Sequence, residues 1–169
     1  STWGTARSLT SFLSMARTWS LDNWGEDLIA NPRGGGIYVW DTSVGTGTRA
    51  AAISGAPSTA KAIFVSPENR HLVALGAHDG SADDPMLVRW SSSEDYTDWT
   101  PTTLNTAGDK RLDLGDELYC AVKMRSETLI FSDAVIYGML FIGPPYVFDF
   151  QIRGPNGGII GPNAAKELN

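Results

Sequence analysis

Two histidines, one cysteine and nineteen carboxylates are the side chains of this 169-residue chain best suited to chemistry, and their spacing is restrictive. His78-Asp79 with Asp83-Asp84 is the one loop dense enough in acids to suggest a cation. Calcium takes carboxylate and carbonyl oxygens from such loops, but the D-x-[DN]-x-[DN]-G spacing is absent, and a solvated acidic hairpin accounts for the loop equally well. Glu26 and Asp27 form a carboxylate pair of the kind glycoside hydrolysis uses, where two acids stand roughly 5–10 Å apart. Neighbours on a strand point to opposite faces, so these two cannot flank one bond. Glu26 is instead expected as a turn acceptor or an arginine partner. Asp116 and Glu117 are the other acids near inner-strand positions. His71 precedes an apolar strand, and neither histidine has a Ser or Cys neighbour arranged as a nucleophile. Cys120 falls in an alternating strand, where a small buried hydrophobe is expected. No catalytic, cofactor-binding or metal-ligating residue is predicted, and the chain is read as non-enzymatic.

The string DNWGEDLIANPRGGGIYVWD (residues 22–41) raises a second possibility, a phosphate cradle. A P-loop needs G-x-x-x-x-G-K-[ST] ahead of a helix, and a dinucleotide fingerprint also opens a helix. Here a β-branched and aromatic run follows Gly34, Gly35 and Gly36. Glycine tolerates the positive φ of a tight turn and Pro32 suits its start, so a hairpin is expected. The string SSSEDYTDWTP (residues 91–101) is similar to the Asp-box of sialidase-type propellers, S-x-D-x-G-x-T-W, but is one residue short and lacks the glycine. Even a full Asp-box is a turn brace. Asp95 is expected to cap this turn, with Trp99 packed beneath it and Tyr96 helping to hold it.

The elements that must position these residues are short strands. Eighteen glycines and nine prolines punctuate the chain, and six Trp, five Tyr and six Phe fill the runs between them. That composition favours β-structure over helices. The net charge is −6, which argues against a surface that grips nucleic acid. Ten carboxylates against Arg89, Lys110 and Arg111 place −7 on residues 79–117. One cysteine rules out an internal disulfide, no apolar run reaches the length of a membrane span, and no signal peptide opens the chain. With no initiator Met, the chain reads as trimmed or excised from something longer.

The strand-like runs come in pairs: DLIA with GIYVWD, HLVALGA with MLVRWS, and ELYCAVK with TLIFSD. AIFVSP leads into the second pair and VIYGMLFIG follows the third. Leu28, Leu72 and Leu118, spaced by 44 and 46 residues, are read as equivalent anchors. Trp40, Trp90 and Phe131 close the second strand of each pair, each before a small polar or acidic residue: Asp41, Ser91, Ser132. They are read as repeated core anchors, with Trp24 beside Leu28 at the start of the first unit. A period of roughly 45 residues with four short strands is that of a β-propeller blade. The fold class predicted is all-β, a partial β-propeller of about three blades. Residues 1–20 are a lead-in, 21–157 the three units and 158–169 the start of a further unit. An all-β sandwich is the competing fold. Because propellers close with about 4–8 blades, further blades are expected in cis or in trans.

Three separated strings carry a resemblance: TWSLDNWGEDLIANPRGGGIYVWD, DPMLVRWSSSEDYTDWTPTTLNTAGDKRLDLG and FIGPPYVFDFQIRGPNGGIIGPNAA. Together, over residues 18–165, they resemble large bacteriophage virion proteins, the β-propeller tail components (nozzle or tail-tube class) of short-tailed phages. The resemblance implies a structural protein of the virion tail. It would form an oligomeric ring with copies of itself and neighbouring tail proteins around the DNA exit channel. No cofactor, catalysis or membrane anchor is implied. Acidic residues 79–117 around such a conduit would let DNA slide during ejection without sticking. Family members run to several hundred residues, and an aromatic-rich strand normally follows GPNAA, so the chain is read as a fragment or a truncated relative. The alternative is a propeller-type glycosidase or carbohydrate-binding tail module, which would need a central cluster drawn from Glu26, Asp27, Asp116 and Glu117. A soluble all-β domain of cellular origin is a third reading.

Overall fold

The computed structural model describes residues 17–166, and among these every regular element except one short 3-10 turn is a β-strand. Residues 1–16 and 167–169, which include most of the predicted lead-in and the end of the predicted further unit, lie outside the described residues. Sheet 1 contains β1 (Trp19–Trp24), β2 (Asp27–Pro32), β3 (Tyr38–Trp40) and β4 (Ala51–Ala52). Sheet 2 contains β5 (Ala62–Val65), β6 (Leu72–Leu75), β7 (Leu87–Trp90) and β8 (Gly108–Arg111). Sheet 3 contains β9 (Leu118–Lys123), β10 (Thr128–Ser132), β11 (Val135–Gly143) and β12 (Val147–Pro155). Each is a four-stranded antiparallel meander in chain order. The three expected strand pairs are β2–β3, β6–β7 and β9–β10. β1 begins at Trp19, inside the predicted lead-in.

Local chemistry accounts for the turns. β1 and β2 are joined by Gly25 and Glu26, with Trp24 opposite Asp27, and Gly25 takes φ +65°. A two-residue hairpin with its first central residue at positive φ requires glycine there. The triple glycine joins β2 to β3 as a hairpin, with Gly34 at φ +68° and the Gly35 amide donating to the Pro32 carbonyl at 2.7 Å. A Cβ on Gly35 would come within 2.9 Å of the Pro32 ring. Asn31, fully buried, braces this turn by donating its side-chain amide to the carbonyls of Gly35 (2.8 Å) and Gly36 (3.1 Å).

The sheets stack face to face, with sheet 2 in the middle. Ile63, Val65, Leu72 and Ala74 point toward sheet 1 and pack with Ile29, Ile37, Ile53 and Trp99. Their neighbours on the same strands, Ala62, Phe64, Val73 and Leu75, point the other way. They pack with Leu118, Ile130, Tyr137, Met139 and Phe148 of sheet 3. A sheet covered on both faces loses the polar alternation of a half-exposed one, which is why β5 and β6 read as continuous apolar runs.

Several predicted anchors are corrected by this packing. Leu72 is fully buried, but Leu28 is only half-buried, and its neighbour Ile29 fills the core. Leu118 is buried but opens the first strand of its sheet, whereas Leu28 and Leu72 stand on second strands, so the three are not equivalent. Trp90 is a core residue, donating Nε1–H to the Thr106 carbonyl at 3.0 Å beneath Gly108. Trp40 and Phe131 are half-buried and face away from sheet 2. Strand alternation is the reason: with Ile29 and Val39 turned inward, Leu28 and Trp40 must turn outward.

Candidate functional site

The first strands of the three sheets meet. β1 lies against β5, and β5 against β9. Side chains rather than backbone make the junction between β1 and β5. Ser20 Oγ accepts the Ile63 amide at 3.0 Å, and Asp22 Oδ2 accepts the Val65 amide at 2.7 Å. These two amides face away from β6, so the alternate polar residues of β1 satisfy a sheet edge that would otherwise be unpaired. Lys123, at the end of β9, reaches the same Asp22 Oδ2 at 2.5 Å, and one carboxylate thereby ties all three sheets.

A second polar knot lies at the opposite end of the junction. Arg33 donates to Glu117 Oε1 at 2.7 Å and to the carbonyls of Tyr119 (3.2 Å) and Lys61 (3.3 Å), with its guanidinium 5.3 Å from the Tyr119 ring centroid. Lys61 Nζ approaches the same Glu117 Oε1 at 3.2 Å. Between the two knots runs a pit, formed by adjoining cavities of about 530 and 540 Å³ that share Thr18, Lys61, Tyr119 and Pro162. Cys120 lines it, half-buried, with its thiol pKa pushed up by burial against the opposing pull of Arg33.

The other sequence candidates are dispersed. Asp79 accepts the amides of Ser81 (2.6 Å) and Ala82 (2.8 Å), which hold its carboxyl below the usual range. His78 Nδ1 accepts the Gly80 amide, Asp83 bonds Thr59, and Asp84 pairs with Arg111 at 2.8 Å. Among the described residues no three His, Cys, Asp or Glu side chains are grouped to hold a metal ion. Glu26 is an exposed turn residue, and Asp27 accepts the Thr42 amide at 3.1 Å. Asp116 lies in the loop before β9, where its amide donates to Asp133. Of the ten acids in residues 79–117, only Glu117 borders the pit.

The Asp95 turn forms as expected. Asp95 accepts from the Thr97 hydroxyl (2.6 Å) and amide (2.8 Å), Trp99 is buried with Nε1–H on the Tyr96 carbonyl, and Tyr96 stands edge-on to Trp24 at 5.3 Å. His71, immediately ahead of β6 as read, is fully buried, with Nε2 on Thr106 Oγ1 at 3.2 Å and Nδ1 without a hydrogen-bond partner. Sequence reasoning missed Ser20, Asp22, Arg33, Lys61 and Lys123. The signal was the alternation of polar Ser20 and Asp22 with Trp19 and Leu21, a strand whose polar side faces inward.

Neither the models of known protein families nor the curated proteins give a match to this sequence.

Proposed function

We propose that the chain is three consecutive blades of a larger β-propeller and serves as a non-enzymatic structural protein of a phage tail. The reading rests on sheet 2, which has both faces buried in sequential order between sheets 1 and 3, while the outer faces of those two sheets carry exposed and half-buried apolar side chains, bordered on sheet 3 by Asp149, Gln151 and the Glu127–Arg153 pair along β12. On sheet 1 that face presents Trp19 and Leu21, 59% and 58% exposed, with Leu21 in register with Ala30 and Tyr38, and Asn23 in register with Leu28 and Trp40. On sheet 3 it presents Cys120, Val122, Leu129, Phe131, Ile136 and Leu140. Large contiguous apolar patches mark interaction surfaces, and here the natural cover is another sheet of the same kind. Chain path supports the blade reading too. After β4 and β8 the chain returns from the fourth strand of one sheet to the junction of the first strands, and after β12 it does so again, bringing residues 162–166 to the pit. Further blades and neighbouring tail proteins complete a ring around the DNA exit channel. The test is immunogold labelling and peptide mass analysis of purified virions. Signal confined to the tail vertex supports the proposal, and absence of the chain from virions removes it.

A carbohydrate-binding tail module is the second reading, favoured by one cleft of about 570 Å³ where Tyr146, Phe150, Asp109 and Asp149 meet. Aromatic faces with flanking acids suit sugars. Tyr146 is 76% exposed, so Tyr146→Ala leaves the fold intact. Saturable binding of host polysaccharide that this substitution abolishes would support the module, and no binding by the parent chain would dismiss it.

A further inference from the structure

The pit where β1, β5 and β9 meet carries charge opposite to the rest of the chain. Arg17, Arg33, Lys61, Lys123 and Lys166 line it, against only Asp22 and Glu117. That is an excess of three positive charges in a chain whose net charge is −6. The two acids are already engaged. Glu117 Oε1 is shared by Arg33 and Lys61, and Asp22 Oδ2 by Lys123 and the Val65 amide. Among the described residues neither Arg17 nor Lys166 pairs with a carboxylate.

We infer that this pit is a binding site for a small polyvalent phosphate anion, of the pyrophosphate or triphosphate class. Cations held in a concave, partly desolvated site focus a positive potential and are worth more than the same charges on an open surface. Lysine and arginine are the side chains that recognise phosphate oxygens, and the two cavities lie in the range of small-ligand sites, about 300–1,000 Å³. Charge number decides the class. The Coulomb term grows with the product of charges, so an anion of three or four charges is favoured over a monovalent carboxylate. Arg33 is anchored by carbonyl acceptors and one carboxylate and acts as a fixed wall, while Lys61, Arg17 and Lys166 supply the movable contacts.

The experiment is calorimetric titration of this chain with inorganic pyrophosphate at low salt, with sodium acetate in parallel and adenosine triphosphate beside inorganic tripolyphosphate. Saturable pyrophosphate binding is expected, about tenfold weaker in Lys61→Gln and in Arg17→Gln and unchanged in Lys110→Gln, whose side chain lies on β8. Binding should weaken as salt rises. Arg17 stands at the rim, so its substitution keeps the test valid where Lys61→Gln disturbs folding. Tighter binding of adenosine triphosphate than of tripolyphosphate identifies a nucleotide, and equal binding identifies the bare phosphate chain. No saturable heat, acetate binding as tight as pyrophosphate, or equal loss in Lys110→Gln overturns the inference. None of these outcomes bears on whether the chain belongs to a phage tail, which the virion labelling decides separately.

Discussion

Ser91 and Ser132 are small, fully buried, and use both capacities of the hydroxyl. Ser91 Oγ accepts the Leu72 amide and donates to the Ser92 carbonyl, each at 3.0 Å. Ser132 Oγ accepts the Val135 amide at 2.8 Å and donates to the Val135 carbonyl at 2.9 Å. A buried amide left without its acceptor costs about 1–3 kcal/mol. Ser132→Ala should therefore lower unfolding stability by that amount in denaturant melts, while Phe131→Ala costs less than Trp90→Ala. This corrects the emphasis of the sequence reading. The repeated aromatic-plus-polar strand ending is real in the chain, but the polar member is a buried brace only at Ser91 and Ser132, Asp41 being an exposed cap of the 3-10 turn, and of the aromatics only Trp90 is core. A period shows that a position repeats and does not show which neighbour faces inward. His71 supplies a pH prediction. Burial, opposed in part by the nearby Glu68 backbone and by the charge of Glu94, lowers its pKa below the ordinary 6.5. The unfolded chain then binds the proton more readily, so stability is retained above pH about 6.5 and falls as pH drops below it. His71→Gln should flatten that part of the stability curve, measured at several pH values between 5 and 7.5. An unchanged slope would contradict the assignment. The carboxyls of Asp95, held low by the Thr97 hydroxyl and amide, and of Asp133, held low by the Asp116 and Glu117 amides, act in a separate and more acid window.

At the scale of elements, the first strands are joined by side chains and therefore depend on single residues. Asp22→Ala removes the acceptor of the Val65 amide and the partner of Lys123 together. It should cost about 1–3 kcal/mol and speed exchange of the Val65 amide in hydrogen-exchange measurements, with Ile63 protected as before through Ser20. Equal loss at both amides would mean that β1 detaches as a unit. The strands β2, β3, β5, β6, β7, β9, β10 and β11 were legible because apolar, β-branched runs ended at turn residues. β4 and β8 were not: Ala51–Ala52 and Gly108–Arg111 are short edge strands without an apolar alternation. β12 does alternate, with Phe148, Phe150 and Ile152 on one side, but its charged partners mask it in a reading by apolar runs. The pit was illegible because its cations come from residues 17, 33, 61, 123 and 166, which only the fold brings together.

At the scale of the whole molecule, the two sides of sheet 1 should respond differently to the same change. Ile29 is fully buried between sheets 1 and 2, so Ile29→Glu buries an unpaired charge and should prevent folding. Trp40 lies half-buried on the outer face, so Trp40→Glu should keep the β-rich circular dichroism spectrum and thermal transition yet abolish assembly in size-exclusion chromatography. All-β character and the three-part organisation followed from periodicity. The most direct test of the proposed role is the native mass, set beside the denatured chain mass, of the protein released intact from purified phage particles. The account predicts a native mass that is a ring-like multiple of the denatured chain. A native mass equal to that of a single chain would contradict it.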